Sequence, residues 1–191
     1  MIAAALLAVS IAATSPGAAT GAHEPIRFES LAWDATREDV ARSLAARHYV
    51  REAAAEPGDE AVWSGRAFGR HVHVTPEFDA NGVLIALNVR VDADERGSAL
   101  QRYLELVAAM RRRHGPWTAQ VEPGRPVTEE RIDREGRLRR YGDRTAATLW
   151  VGADDAAAAV QLGRDDSLWL RYESPRWNAL HPDEAGDDDQ R

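Results

Sequence analysis

The chain has 191 residues, 44% of them hydrophobic, and a formal net charge of −7 at neutral pH. That length and composition suit one globular domain with a real core, and argue against both a disordered chain and two comfortable domains. It has no cysteine and all 24 of its basic residues are arginine. This excludes disulfides, thiol catalysis, a P-loop, a Schiff base and a Ser–Lys dyad.

Met1–Ala13 is apolar apart from Ser10, and no charged side chain precedes His23. A polar break at Thr14-Ser15-Pro16-Gly17 follows, then Thr20-Gly21-Ala22, a small-x-small cleavage site. Residues 1–22 are therefore expected to be a secretory signal peptide whose apolar run of about a dozen residues falls short of the ~20 a membrane helix needs, with the protein periplasmic or secreted. Five acidic side chains and one Arg crowd into Asp183–Arg191. More than half of the net charge sits in this tail, so the folded part exerts no general pull on nucleic acid. Residues 176–191 are expected to be an acidic, disordered tail and residues 23–175 a single domain.

Ile26–Trp33 begins with alternation and predicts a strand or extended entry segment. Thr36 with Asp39 three places on resembles an N-cap, and the helix behind it places Val40, Ala41, Leu44, Ala45 and His48 on one stripe, ending near Tyr49-Val50. His48 is expected to be packed and hydrogen-bonded. After the turn-like Ala53–Glu60, Val62-Trp63 reads as a short strand. His71–Phe78 and Val83–Val91 alternate around Asp79-Ala80-Asn81-Gly82, the signal of a β-hairpin whose tight turn needs a positive φ. Its predicted inner face is Val72, Val74, Phe78, Val83, Ile85, Leu87, Val89 and Val91. Ser98 and Gln101 form a capping box for a second helix, expected to bury Leu100, Tyr103, Leu104, Val107 and Met110 and to stop at His114-Gly115-Pro116. Trp117–Arg144 lacks an apolar stripe and reads as a long loop. Thr145–Val151, Ala156–Leu162 and Ser167–Glu173 read as three strands. Their predicted inner residues are Leu149 and Val151; Ala158, Val160 and Leu162; and Leu168, Leu170 and Tyr172.

The order helix, strands, helix, strands gives an α+β class: an antiparallel sheet with two helices packed on one face. The halves near 34–91 and 97–173 follow one plan, which suggests two α-β-β(-β) repeats. Trp33-Asp34-Ala35-Thr36, Phe78-Asp79-Ala80-Asn81-Gly82-Val83-Leu84, Tyr103-Leu104, His114-Gly115-Pro116, Trp150 and Leu170-Arg171-Tyr172 together resemble small exported α+β domains. That group comprises the SmpA/OmlA-type outer-membrane assembly lipoproteins and the β-lactamase-inhibitor-like repeats. The resemblance covers roughly residues 28–175. It implies helices on one face of an antiparallel sheet, in an envelope or secreted protein that binds another protein without catalytic residues. The lipid-bearing cysteine of the lipoproteins is absent.

Few residues offer chemistry. His71 and His73 lie two apart on a strand and share a face. With a carboxylate such as Glu77 they could hold zinc, but spacing fixes no third ligand, so they read as an exposed polar strand face. No metal, cofactor or catalytic residue is expected. The predicted binding surface is the open sheet face, carrying Trp150, Trp169, Arg171, His71, His73 and Arg90, since Trp and Arg are common interface anchors. The sequence thus predicts a non-catalytic envelope module. It would bind another envelope or extracellular protein or peptide, or a second copy of itself, with no nucleic acid and no integral span in the mature chain. A small-ligand binder, or a metal-dependent enzyme around His71/His73, is the alternative.

Overall fold

The computed structural model describes residues 24–53, 60–93, 97–121 and 144–180. The elements run α1 (Arg37–Ala46), β1 (Val50–Arg51), β2 (Trp63–Ala67), β3 (Arg70–Phe78), β4 (Leu84–Val91), α2 (Ala99–His114), β5 (Ala119–Val121), β6 (Arg144–Val151), β7 (Ala157–Gly163), β8 (Leu168–Glu173) and α3 (Trp177–Leu180). All eight strands join one antiparallel sheet in the order β1-β2-β3-β4-β8-β7-β6-β5. This is the expected α+β class, and the order exposes its plan. One helix and a four-strand meander (α1, β1–β4) are followed by a second set (α2, β5–β8). The two sets meet where each one's last strand pairs with the other's, β4 against β8.

Local chemistry starts and stops these elements. Thr36 and Asp39 close a reciprocal capping box on α1. The Ser98 side chain accepts from the Gln101 N–H at the start of α2, while the Gln101 amide turns to Glu105, so the expected box is half made. Gly115 ends α2 with φ 83°, a conformation glycine takes without strain. In the β3–β4 turn, Asp79 accepts from the N–H groups of Asn81 and Val83, and Gly82 supplies φ 76°.

Between the helices and the sheet lies one core. It joins Val40 and Leu44 of α1, Tyr103, Leu106, Val107 and Met110 of α2, and Val72, Val74, Val89, Val160, Leu168, Leu170 and Tyr172 of the strands. Each such apolar side chain contributes about 1.5–3 kcal/mol by leaving water. Both helices therefore pack on the same face. Phe28 fills the space beside α1, edge-on to Tyr49 and Tyr172.

Several expectations need correction. Leu100 and Leu104 are exposed, and α2 instead turns Ala99, Tyr103, Leu106, Val107 and Met110 inward. Leu100 and Leu104 lie i,i+4 on the solvent flank of that stripe. α1 ends at Ala46, leaving Ala45 and His48 exposed, with His48 at φ 64° in the connection. A register shift at Glu77/Phe78 sends Leu84 into the core and Ile85 to the opposite face, where it meets Ala86 and Trp177. Ile26–Trp33 forms no strand: Glu29 and Ser30 take positive φ, and Ile26, Phe28 and Leu31 plug the core from an irregular segment. β5 occupies part of the stretch read as a loop, and residues 122–143 lie outside the described residues. So do the signal-peptide reading at 1–22 and the tail beyond residue 180. The described fold continues past Pro175 through α3, whose Trp177 is buried.

The largest correction is the parity of β6. Trp150 pairs with Ala158 and Thr148 with Val160, so Trp150 shares the helix side with these core residues. Trp150 is 1% exposed, and its indole N–H donates to the Gly115 carbonyl at 3.0 Å. Thr148 meets the Tyr103 hydroxyl at 2.6 Å. Leu149 and Val151, expected inside, lie on the opposite face. No helix among the described residues is long and apolar enough to cross a membrane.

Candidate functional site

The sheet face away from α1 and α2 is ordered by cross-strand register into three rows. The first runs Ser64, His73, Arg90, Trp169, Gln161, Ala147; the second Thr75, Asn88, Arg171, Ala159, Leu149; the third Glu77, Ala86, Glu173, Ala157, Val151. His71, opposite Arg66, sits one step beyond the first row. The strands thus gather five of the six predicted residues, His71, His73, Arg90, Trp169 and Arg171, on one face. Trp150 is the sixth and lies in the core behind it.

This face is not uniformly open. Ala147, Leu149, Ala157, Ala159, Gln161 and Glu173 are buried. Near the third row, α3 lays Trp177 on Ile85 and Ala86, and Arg176 reaches Asp79 at 3.1 Å. The accessible portion is at the β2–β3–β4 end, with Arg66, His71 and Arg90 exposed and His73 and Trp169 half-buried. Arg90 has no ion-pair partner among the described residues.

Arg171 has a different role. Its guanidinium takes Glu77 with both terminal nitrogens, donates to Asn88 Oδ1 at 2.8 Å, and reaches Glu173 at 3.3 Å from Nε. Its Cζ stacks 4.3 Å from the centre of the Trp177 ring. Arg171 is on β8, whereas Glu77 and Asn88 lie on β3 and β4 in the other set. The side chain is therefore a clamp across the β4–β8 seam, where a planar fork matches carboxylates better than an ammonium would.

The second cluster lies at the β1–β2–β3 corner. His71 Nδ1 is 2.7 Å from Asp92 Oδ2, and His73 Nε2 is 3.1 Å from Asp92 Oδ1. The other nitrogen of His73, Nδ1, meets Glu52 Oε1 at 2.6 Å. The two rings stand edge to face with centres 5.2 Å apart. Burial pushes the Asp92 carboxyl upward, but the hydrogen bonds and positive charge of His71 and His73 outweigh it and hold the group below the usual carboxylate range. Glu77, the carboxylate first suggested for these histidines, is committed to Arg171 and Asn88 instead. Asp92 and Glu52 were missed. Asp92 was within reach, because the register that pairs Val72 with Val91 places it opposite His71, and its N–H donates to the His71 carbonyl. Glu52 follows a two-residue strand that no sequence signal marks.

One helix–sheet cleft of about 460 Å³ opens between α2 and the β2–β3 turn, lined by Phe68, Arg70, Gln101, Glu105 and Leu106 among others. Its facing charges, Arg70 and Glu105, are already paired with each other. Comparison with known protein families, characterised proteins and solved structures finds no match to this chain.

Proposed function

We propose that the protein is an exported, non-catalytic binding module that takes another envelope or extracellular protein or peptide on the accessible end of its open sheet face. The observation that carries this reading is the strip in which Arg90, exposed and without an ion-pair partner among the described residues, stands in register with half-buried Trp169 and with His73. An arginine beside an aromatic on a strand surface is the composition of an interface anchor. The strip's backbone is supported from beneath by the core, so binding need order only its side chains. Its positive and aromatic character favours an acidic or carboxylate-bearing partner segment. Export is supported by the apolar Met1–Ala13 and the Thr20-Gly21-Ala22 site, and the resemblance to small envelope domains points the same way.

Photo-crosslinking in the native compartment tests the reading. A crosslinker at Arg90 or Trp169 should give one discrete adduct with a different protein, and one at exposed Leu104 on α2 should not. Arg90→Glu should abolish the adduct formed from Trp169. Equal labelling from all three positions, or adducts only with a second copy of this chain, would overturn it. Recovery of the extracytoplasmic protein with Met1 retained would remove the signal-peptide part.

A further inference from the structure

We propose that His71, His73 and Asp92 bind one divalent transition-metal ion of the zinc class, with Glu52 holding His73 in its ligating tautomer. This goes beyond the binding-module reading and does not depend on it. His71, His73 and Asp92 can each offer one ligand atom within 4.8 Å of the others, and a single oxygen, Asp92 Oδ2, lies 2.7 Å from His71 Nδ1 and 3.3 Å from His73 Nε2. Around a tetrahedral zinc, ligands at about 2.0–2.1 Å sit roughly 3.3 Å apart. Both nitrogens thus stand from one carboxylate oxygen at distances close to that spacing.

The fourth residue makes the arrangement directional. Glu52 on Nδ1 holds one ring proton of His73 on that side, so an ion that displaces a proton from Nε2 finds that nitrogen's lone pair directed toward Asp92. A carboxylate on the remote nitrogen of a histidine is also the usual support of a metal-bound imidazole. Two imidazoles and one carboxylate select zinc, cobalt, nickel or copper over magnesium and calcium, which prefer all-oxygen sites.

The strands set the ligands firmly. His71 and His73 are two apart on β3 and so project from one face. Asp92 is fixed opposite His71 by the β3–β4 ladder. Glu52 is tethered beyond β1, its N–H donating to the Val62 carbonyl at 2.9 Å. About half of the His71 side chain remains exposed, which leaves the remaining coordination position to water.

The test is titration of the tag-free full chain with Zn2+ by calorimetry and with Co2+ by visible absorption near neutral pH. The expected result is one ion per chain, with the d–d bands of a low-coordinate nitrogen–oxygen site, and no displacement by excess Mg2+ or Ca2+. His71→Ala and Asp92→Asn should each abolish the Co2+ spectrum. Glu52→Gln should preserve the stoichiometry and weaken binding about 10–100-fold, and His48→Ala should change nothing. Far-UV circular dichroism of the metal-free variants checks that the half-exposed His71 can be removed without unfolding. Absence of saturable one-to-one binding, binding that survives both His71→Ala and Asp92→Asn, or displacement by Mg2+ or Ca2+ would overturn the proposal. In the first case the cation between His73 and Asp92 is simply a second ring proton.

Discussion

Truncating Trp150 to alanine should be among the most damaging single changes available in this chain. The indole is almost wholly buried and spans the gap between β6 and the end of α2, over the small side chain of Ala158. Removing a buried aromatic of this size costs about 3–5 kcal/mol through lost transfer energy and the cavity left behind. The Gly115 carbonyl, which accepts from Nε1 at 3.0 Å, loses its donor at the same time, for about 1 kcal/mol more. Against a typical total stability of about 5–15 kcal/mol, that leaves a marginal fold. Trp150→Phe separates the two contributions, since most of the ring volume stays and only the donor is lost, so it should cost about 1–3 kcal/mol. Trp169→Ala, at a half-buried position on the other face, should cost about 1 kcal/mol or less. Urea unfolding followed by far-UV circular dichroism gives all three from their midpoints at a shared slope. If Trp169→Ala destabilises as much as Trp150→Ala, the assignment of the two faces is wrong.

Further outcomes are expected. Leu106→Ala should cost about 2–5 kcal/mol and Leu104→Ala less than about 1 kcal/mol, measured in the same urea series; the reverse order would misplace the buried face of α2. Arg171→Ala removes the cation shared by the partly buried carboxylates of Glu77 and Glu173 and should cost about 3–5 kcal/mol, while Arg171→Lys, which keeps the charge but not the fork, should fall between it and wild type; two equal losses would mean that the planar geometry is irrelevant. Asp79 is held below its ordinary value of 3.8 chiefly by the Val83 N–H, and Asp39 by Thr36. The stability each contributes is present above pH 3.8 and disappears as pH falls through the lowered folded value. Asp79→Asn should therefore flatten the acid limb of a melting-temperature profile, and an unchanged limb would refute it.

What could be read from residues alone was whatever a one-sided pattern marks. The Asn81-Gly82 hairpin and the caps at Thr36 and Ser98 carry local signals that tertiary structure did not override. β6 gave no such signal because both of its faces are buried: Ala146, Ala147, Thr148, Leu149 and Trp150 are all 5% exposed or less. A strand covered on both sides has no alternation to reveal its parity, and only the pairing of Trp150 with Ala158 settles it. α2 misled for a related reason, since Leu100 and Leu104 extend its apolar stripe without reaching the core. The histidine cluster was half visible, because the His-x-His spacing is local, whereas Glu52 arrives from the other side of β2. The Arg171 clamp joins side chains 94 residues apart and has no sequence signature.

The mirrored strand order has a consequence for how the chain can be divided. Within each half every strand pairs with its sequence neighbour, so each meander's ladders join segments that follow one another in the chain. Among the described residues the β4–β8 ladder, six register pairs long from Ala86↔Glu173 to Val91↔Leu168, is the one strand pairing between the halves. A fragment ended after Ala93 would carry β4 as a naked, largely apolar edge, a template for another strand. Such half-chains should couple β4 to β4 or precipitate rather than stay monomeric. By the same geometry, two separately made halves have a defined way to find each other, through the strand edge that the intact chain keeps hidden at its centre.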